Sequence, residues 1–492
     1  MTDLRARLDE SVGRAAERLI TSHHRRRLRR VGWDHVLRAT LPPPSGGRVG
    51  VGGPWWAQGD PPPRPGNALD VLIDGEDAFR AIAQALQGAR SHVHVTGWHL
   101  TPGFALTRDA NPISLRDLLA DLATRIPVRV LLWGGAPGRL FRPSRRDVRR
   151  VRDQLVAGTR IQCALDTRER PMHCHHEKTV IVDDQVAFVG GIDLTSFGGD
   201  RWDTPAHPSR QAGGWHDVAT RLRGPAVQDV AAHFRLRWHA ITGETLPAWP
   251  IPAPAGSVEV QLVRTMPDHM YRERPQGDFR ILEAYLRALR GAIKLIYLEN
   301  QFLWSPEVAE VLRDKLRHPP SPDFRLLLVL PEKPNSGGDD TRGQLSTLVE
   351  ADEDRGNILA CTILCSGGVQ PPAVYVHAKV GIIDDRWLTV GSANLNEHSL
   401  FNDTEVNLVA GDPDLARATR LRLWSEHLQR PIADVGGDPA RVIDNLWKPI
   451  AREQADRRRK GQPPTHRLLE LTRGSRRAGL VLGPLQGLIV DA

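Results

Sequence analysis

From Asp70 onward, short apolar runs alternate with amphipathic segments. Val71-Leu72-Ile73, Val93-His94-Val95 and Val128–Trp133 read as strands, and apolar positions at helical spacing predict helices around Ala78–Leu86 and Leu115–Ala123. The alternation resumes later with a helix over Ile281–Arg290 and strands at Leu295–Leu298, Arg325–Leu330 and Val374–Val376. Strands alternating with helices predict an α/β fold: two tandem similar units, each a mixed sheet flanked by helices. Two proline-rich stretches punctuate the pattern. Between residues 41 and 66, 15 of 26 positions are Pro or Gly, which no helix or central strand tolerates, and Leu246–Gly256 separates the two runs of alternation. Upstream, Leu4, Leu8, Val12, Ala15, Ala16 and Leu19 recur at helical spacing before the basic run His23–Arg30. The expected organisation is a basic helical segment (1–40), a linker (41–68), a first catalytic unit (69–245), a second (257–430) and a basic tail (431–492). The tail's apolar end, Leu480–Val490, suggests no role.

Composition narrows the picture. A chain of 492 residues exceeds one compact core, and 25% charged with 40% hydrophobic residues excludes a disordered or fibrous protein. No apolar run approaches the ~18 residues of a membrane span, and the first residues lack the pattern of a secretory signal. Four cysteines make a disulfide framework unexpected, so a cytoplasmic address is the expectation. The net charge of +8 sits at the ends: residues 1–40 carry +5 and residues 441–492 carry +6, leaving −3 between them. That distribution favours an anionic membrane surface, met peripherally from the inner side, over a nucleic-acid partner. For the N-terminal helix two readings stand: packing on the body, or surface contact through Arg25–Arg30.

One motif occurs twice. His176-x-Lys178 with Asp183 five residues on precedes Gly190-Gly191, and His377-x-Lys379 with Asp384 precedes Gly391-Ser392 and Asn394, every matching position offset by 201 residues. With 19 His in the chain, one such His-x-Lys-x4-Asp is expected ~0.02 times by chance, so the pair marks an internal duplication. On a strand, residues i and i+2 share a face, which puts each histidine beside its lysine. The chemistry that fits is phosphoryl transfer: an imidazole can attack phosphorus and an ammonium can hold the non-bridging oxygens. Glycines after the second strand would let backbone approach the phosphate.

This paired motif resembles the phospholipase D superfamily. The segments Arg201-Trp202-Asp203-Thr204-Pro205-Ala206-His207-Pro208, Trp215-His216-Asp217-Val218 and Tyr297-Leu298-Glu299-Asn300-Gln301-Phe302 extend the resemblance toward the eukaryote-type enzymes, over roughly residues 70–430. It implies a pseudo-twofold pair of units with one active site between them, complete in a monomer. It further implies a phosphodiesterase that cleaves the distal phosphodiester of glycerophospholipids to phosphatidic acid through a phosphohistidine, with transphosphatidylation. His176 would attack and His377 would protonate the leaving alcohol, an order that could be reversed. Lys178, Lys379 and Asn394 would bind phosphoryl oxygens, with Gly190, Gly191, Gly391 and Ser392 beside them. Asp217 and Glu405 would orient the imidazoles. Asp183 and Asp384 belong to the motif, and their place at the strand ends suits fixing the loop better than touching phosphate. Asp193, where the second copy has Asn394, would repel phosphate unless protonated or turned away.

The alternatives are a transferase similar to cardiolipin synthase, a nuclease of the same superfamily, and an inactive membrane-binding scaffold. No cofactor and no metal ion is expected. The cluster His173-Cys174-His175-His176 is a poor metal site, because strand alternation sends His173 and His175 away from His176. Cys361 and Cys365 are a weak ligand signal. Trp98, Trp202, Trp304 and Tyr297 could line a headgroup pocket or pack in the core.

Overall fold

The computed structural model describes residues 17–38, 55–137, 142–170, 173–210, 214–333, 338–368 and 370–471. The first half supplies strands β1 (Arg64–Ile73), β2 (Val93–Gly97), β3 (Val128–Trp133), β4 (Gln162–Asp166), β5 (Thr179–Val182), β6 (Val186–Gly190) and β7 (Val218–Arg223). The second supplies β8 (Val258–Met266), β9 (Leu295–Glu299), β10 (Arg325–Val329), β11 (Ile358–Ile363), β12 (Val380–Ile383), β13 (Trp387–Gly391) and β14 (Glu405–Ala410), followed by β15 (Leu468–Glu470). With the two-residue strand Asp278–Phe279 they form one 16-stranded sheet.

Outward from the centre the first half runs β1-β7-β6-β5-β2-β3-β4, and the second runs β8-β14-β13-β12-β9-β10-β11 before ending on β15. The order is the same in both. So is the sense of pairing: β2, β3 and β4 are mutually parallel, as are β9, β10 and β11, while the remaining pairs are antiparallel. The halves join where β1 meets β8, through Arg64↔Val260 and Asn67↔Val258. Residues 243–257, between the halves, form no helix or strand.

The motif strands are apolar throughout because both faces are covered. Val180 and Val182 of β5 pack beneath helices α2 (Asp74–Gln87) and α3 (Leu115–Ala123). Ile181 points to the other face, against α4 (Val227–Thr242). Likewise Ile383 of β12 faces α5 (Arg280–Gly291) and α6 (Pro306–Arg317), while Val380 and Ile382 face α7 (Pro413–Leu428) and α8 (Lys448–Arg459). Each fully buried Val or Ile contributes about 1.5–3 kcal/mol, so the strands carrying the motif are anchored from two sides.

The structure redraws the expected boundaries. Strand β1 begins at Arg64, inside the segment expected to be a linker, and Trp55 and Trp56 just before it pack on the second half's core. The expected tail is folded as far as residue 471. Trp447 is fully buried against Trp424, and β15 pairs antiparallel with β11 at the sheet edge. Charge at one face of α8 hid this in the composition, since Ala451 and Ala455 still turn inward. The apolar end Leu480–Val490 and residues 1–16 of the N-terminal segment lie outside the described residues.

Residues 17–30 form the first helix, α1, which packs on the body. His24 is buried between Glu307 (2.8 Å) and Glu397 (3.0 Å) and stacks on Phe401. Arg27, also buried, bonds Asp268, Asn402 and the Phe401 carbonyl. Arg27 is therefore withdrawn from any surface role, and only Arg25, Arg26, Arg29 and Arg30 of the basic cluster are exposed.

The two carboxylates outweigh burial and raise the His24 pKa to about 9. A raised folded-state pKa stabilises below the unfolded value near 6.5, and the gain is lost as pH climbs through about 9. Replacing His24 by Gln should thus lower Tm clearly at pH 6, with the gap to wild type closing by pH 10. Thermal melts at stepped pH measure it, and a gap that stays constant would mean that the helix is held by packing alone.

Candidate active site

Each motif histidine sits just ahead of its anchored strand, and its backbone is docked on the opposite half. His176 N–H donates to the Thr404 carbonyl (3.0 Å), in the segment that leads into Glu405. Tyr375-Val376, ahead of His377, pair in parallel with Trp215-His216, and His377 N–H donates to the His216 carbonyl (2.8 Å). The two segments that carry the acids therefore clamp the two segments that carry the imidazoles.

This docking pairs the side chains crosswise. His176 Nδ1 lies 3.0 Å from Glu405 Oε1, and His377 Nδ1 lies 2.6 Å from Asp217 Oδ2. Because a carboxylate only accepts, each Nδ1 carries the proton and Nε2 is left for the chemistry. The two imidazoles stand with ring centroids 6.4 Å apart, the scale needed to place one nitrogen ~3 Å from phosphorus and the other within hydrogen-bond reach of the leaving oxygen.

The cations follow the i, i+2 rule. Lys178 Nζ folds back to the His176 carbonyl (2.5 Å) and pairs with Asp193 at 3.1 Å. Lys379 Nζ donates to the His377 carbonyl and to Gln301 Oε1, which also accepts from Asn394 Nδ2 at 3.2 Å. Asp193 is thus buried and tied to the lysine and to the Trp98 amide.

Other candidate residues have a different job from the one expected. Asp183 accepts from the amides of Arg90, Ser91 and His92, and Asp384 from those of Ile293, Lys294 and Leu295. Both begin tight turns with two successive positive φ values, 57° and 51° at Asp183-Asp184 and 53° and 51° at Asp384-Asp385. They close hairpins at the strand end far from the imidazoles, so they are not catalytic groups. The glycines are not bare backbone for phosphate either. A Cβ at Gly191 would stand 2.2 Å from Asp217 Oδ1, one at Gly391 would stand 2.1 Å from Asn407 Oδ1, and one at Gly190 would meet Ala219. They leave room for side chains on the neighbouring strand. Ser392, which takes the place of Gly191, instead donates its hydroxyl to Glu405 Oε2.

Sequence reasoning missed Gln301 and Ser399, whose hydroxyl donates to Glu405 Oε1 at 2.6 Å. The repeat offers no hint of Gln301, because the matching place two residues beyond β2 is His99. The suggested headgroup aromatics do not converge. Tyr297 is fully buried against Trp424 and Trp447, Trp98 stacks on Trp133, and Trp202 lies under Arg108. The neighbouring histidines also separate: His173 turns to His398, and His175 to Thr404 and Asp166.

Electrostatics distinguish the halves. Burial, reinforced by Lys379, Arg201, Lys178 and His176, holds the His377 imidazole well below its usual pKa. Burial pushes Asp217 up to about 6 against the pull of Lys379. Burial also raises Glu405, opposed by Lys178 and by the hydroxyls of Ser392 and Ser399.

Two family models match the chain: one described as phospholipase D over residues 85–214, and one described as a cardiolipin synthase, phospholipase D-like domain over residues 350–425. Among curated proteins, phospholipase D A of Dictyostelium discoideum is 26% identical over 466 residues, covering 75% of this chain and 36% of its own length. The major cardiolipin synthase of Bacillus subtilis (strain 168) is 25% identical, covering 74% and 72%, and phospholipase D2 of Bos taurus is 24% identical, covering 72% and 50%. The chain thus spans only about a third to a half of the two phospholipases. Among solved structures, phosphatidylserine synthase of Haemophilus influenzae Rd KW20 shares the fold, with TM-score 0.50 at 11% identity over 80% of this chain and 95% of that one. Among the described residues no helix is long and apolar enough to cross a membrane.

The Asp217 carboxyl must be ionised to hold the His377 tautomer, and its folded pKa is near 6. Activity on a soluble short-chain phosphodiester should therefore fall as pH drops through about 6. Asp217→Asn should remove that limb while lowering kcat by about 100- to 10,000-fold. A pH–rate profile of both proteins measures it, and an unshifted limb in the variant would assign the titration to another group.

Proposed function

Because the chain belongs to the phospholipase D superfamily, we infer that this site splits the distal phosphodiester of glycerophospholipids into phosphatidic acid and the free headgroup alcohol. The observation that carries the reading is the crosswise pair of carboxylate-held imidazoles facing each other, with a lysine behind each. His176 Nε2 attacks phosphorus and the P–O bond to the headgroup breaks. The alcohol departs with the proton delivered by the His377 imidazolium. His377 then takes a proton from water, whose oxygen displaces the phosphorus–nitrogen bond. Phosphatidic acid leaves and His176 is restored. Lys178 and Lys379 neutralise the non-bridging oxygens, and the Asn394 amide donates a hydrogen bond to them, through both steps. An alcohol in place of water gives transphosphatidylation by the same route. The match to the cardiolipin synthase domain supports lipid alcohols as acceptors.

A second reading exchanges the two histidines. It is favoured by one observation, that burial, reinforced by neighbouring cations, holds the His377 imidazole well below its usual pKa and so favours its unprotonated, nucleophilic form. Acid quenching of a labelled lipid followed by peptide mapping should find the phosphoryl adduct on one histidine only, at 176 in the first reading and at 377 in the second.

His176→Ala and His377→Ala should each lower turnover by at least 1,000-fold while leaving the melting curve unchanged. The products from mixed phospholipids, resolved by mass spectrometry with and without added alcohol, separate hydrolysis from transfer. Near-normal turnover in either variant would remove the shared site from the mechanism.

A further inference from the structure

One charged side chain beside the imidazoles has no part in the mechanism above. Arg201 is 6% exposed. Its guanidinium lies 3.5 Å over the ring of Trp215, and that ring is 5.0 Å from His377, centroid to centroid. It gives one hydrogen bond, to the Gly199 carbonyl at 2.9 Å, and its Nε is buried with no partner. Among the described residues no carboxylate comes within salt-bridge distance of it. Asp193 and Asp217 act on its charge only from beyond that distance. Burying a cation without a directly paired carboxylate opposes folding, and other buried arginines are paired directly. Arg237 sits on Glu177 and Asp166, Arg280 on Asp278, and Arg420 on Asp385. Arg467, which also lacks a carboxylate, gives its two terminal nitrogens to the carbonyls of Pro205 and Glu426, away from the imidazoles.

We propose that Arg201 is a third phosphoryl-binding cation of this site, and that the direct ion-pair partner it lacks is supplied by the substrate's phosphodiester. The inference rests on the phosphodiester reading above. Lys178 shares its charge with Asp193 at 3.1 Å, so two lysines do not supply two full positive charges. In the transition state the non-bridging oxygens gain negative charge, and a guanidinium meets two of them at once. Stacking on Trp215 holds the fork in place and spares its rotamer entropy. Burial lowers the Arg201 pKa only to about 10, which leaves it charged at neutral pH.

The test uses the full chain with tungstate, a tetrahedral oxyanion, as the probe in titration calorimetry, beside kinetics on choline and serine phosphodiesters. The wild type should bind tungstate. Arg201→Gln should weaken that binding at least 10-fold and lower kcat/KM about 100-fold on both substrates. Arg201→Lys, which keeps the charge, should recover part of each loss. A wild type that ignores tungstate would sink the phosphodiester reading itself. Wild-type-like tungstate binding in Arg201→Gln would overturn the assignment of Arg201 alone. A loss confined to the serine ester would move Arg201 to headgroup recognition and overturn it equally. Melting far below wild type in both variants would make the residue structural.

Discussion

Two hydrogen bonds between carboxylate and imidazole, Glu405 to His176 and Asp217 to His377, cross from one half of the molecule to the other, and the rest of the site is built to make them possible. All four groups are buried, so each bond forms only if the partner arrives already aligned. The alignment comes from main chain: the carbonyls of Thr404 and His216 hold the amides of the two motif histidines. Neither half holds an imidazole together with the acid that orients it. The continuous sheet, joined at β1 and β8, keeps the two in one frame.

Duplication has not produced a symmetrical site. The shorter Asp217 sits against Gly191, whose missing side chain leaves it space, whereas the longer Glu405 takes hydroxyl protons from Ser392 and Ser399. One lysine is tied to Asp193 and the other to Gln301, which also receives Asn394. These differences place unequal charge around two chemically identical rings. That inequality suits the proposed reaction, in which one imidazole attacks while the other carries a proton.

The motif aspartates show how much of a catalytic signature can be structural. Asp183 and Asp384 accept three amides each and tolerate the left-handed backbone of a tight hairpin, a service short polar side chains perform well. They fix where each strand ends, and the histidine and lysine at its other end inherit that register. Their recurrence with the histidines reflects this mechanical coupling.

Much of this was legible in the residues alone. The alternation of apolar runs predicted β2, β3, β9 and β10 and the helices α2, α3 and α5, because period-2 and period-3.6 burial are local properties of the backbone, but it did not single out β4, β8, β11 or the helix α4. The i, i+2 spacing of His176 with Lys178, and of His377 with Lys379, determined that each pair shares a face, since strand pleating transmits it through covalent geometry. Composition misled where charge and proline masked packing. The Arg-rich α8 still buries alanines and adds β15 to the sheet, and the helix over residues 17–30 buries His24 and Arg27. The tertiary structure alone decided which carboxylate meets which imidazole, across 229 and 160 residues of chain. It also decided that the glycines make room for neighbouring side chains, and that Arg201 stacks on Trp215, whose ring neighbours His377. Those are contacts between strands brought together by the fold, and no periodicity along a chain encodes a partner so distant.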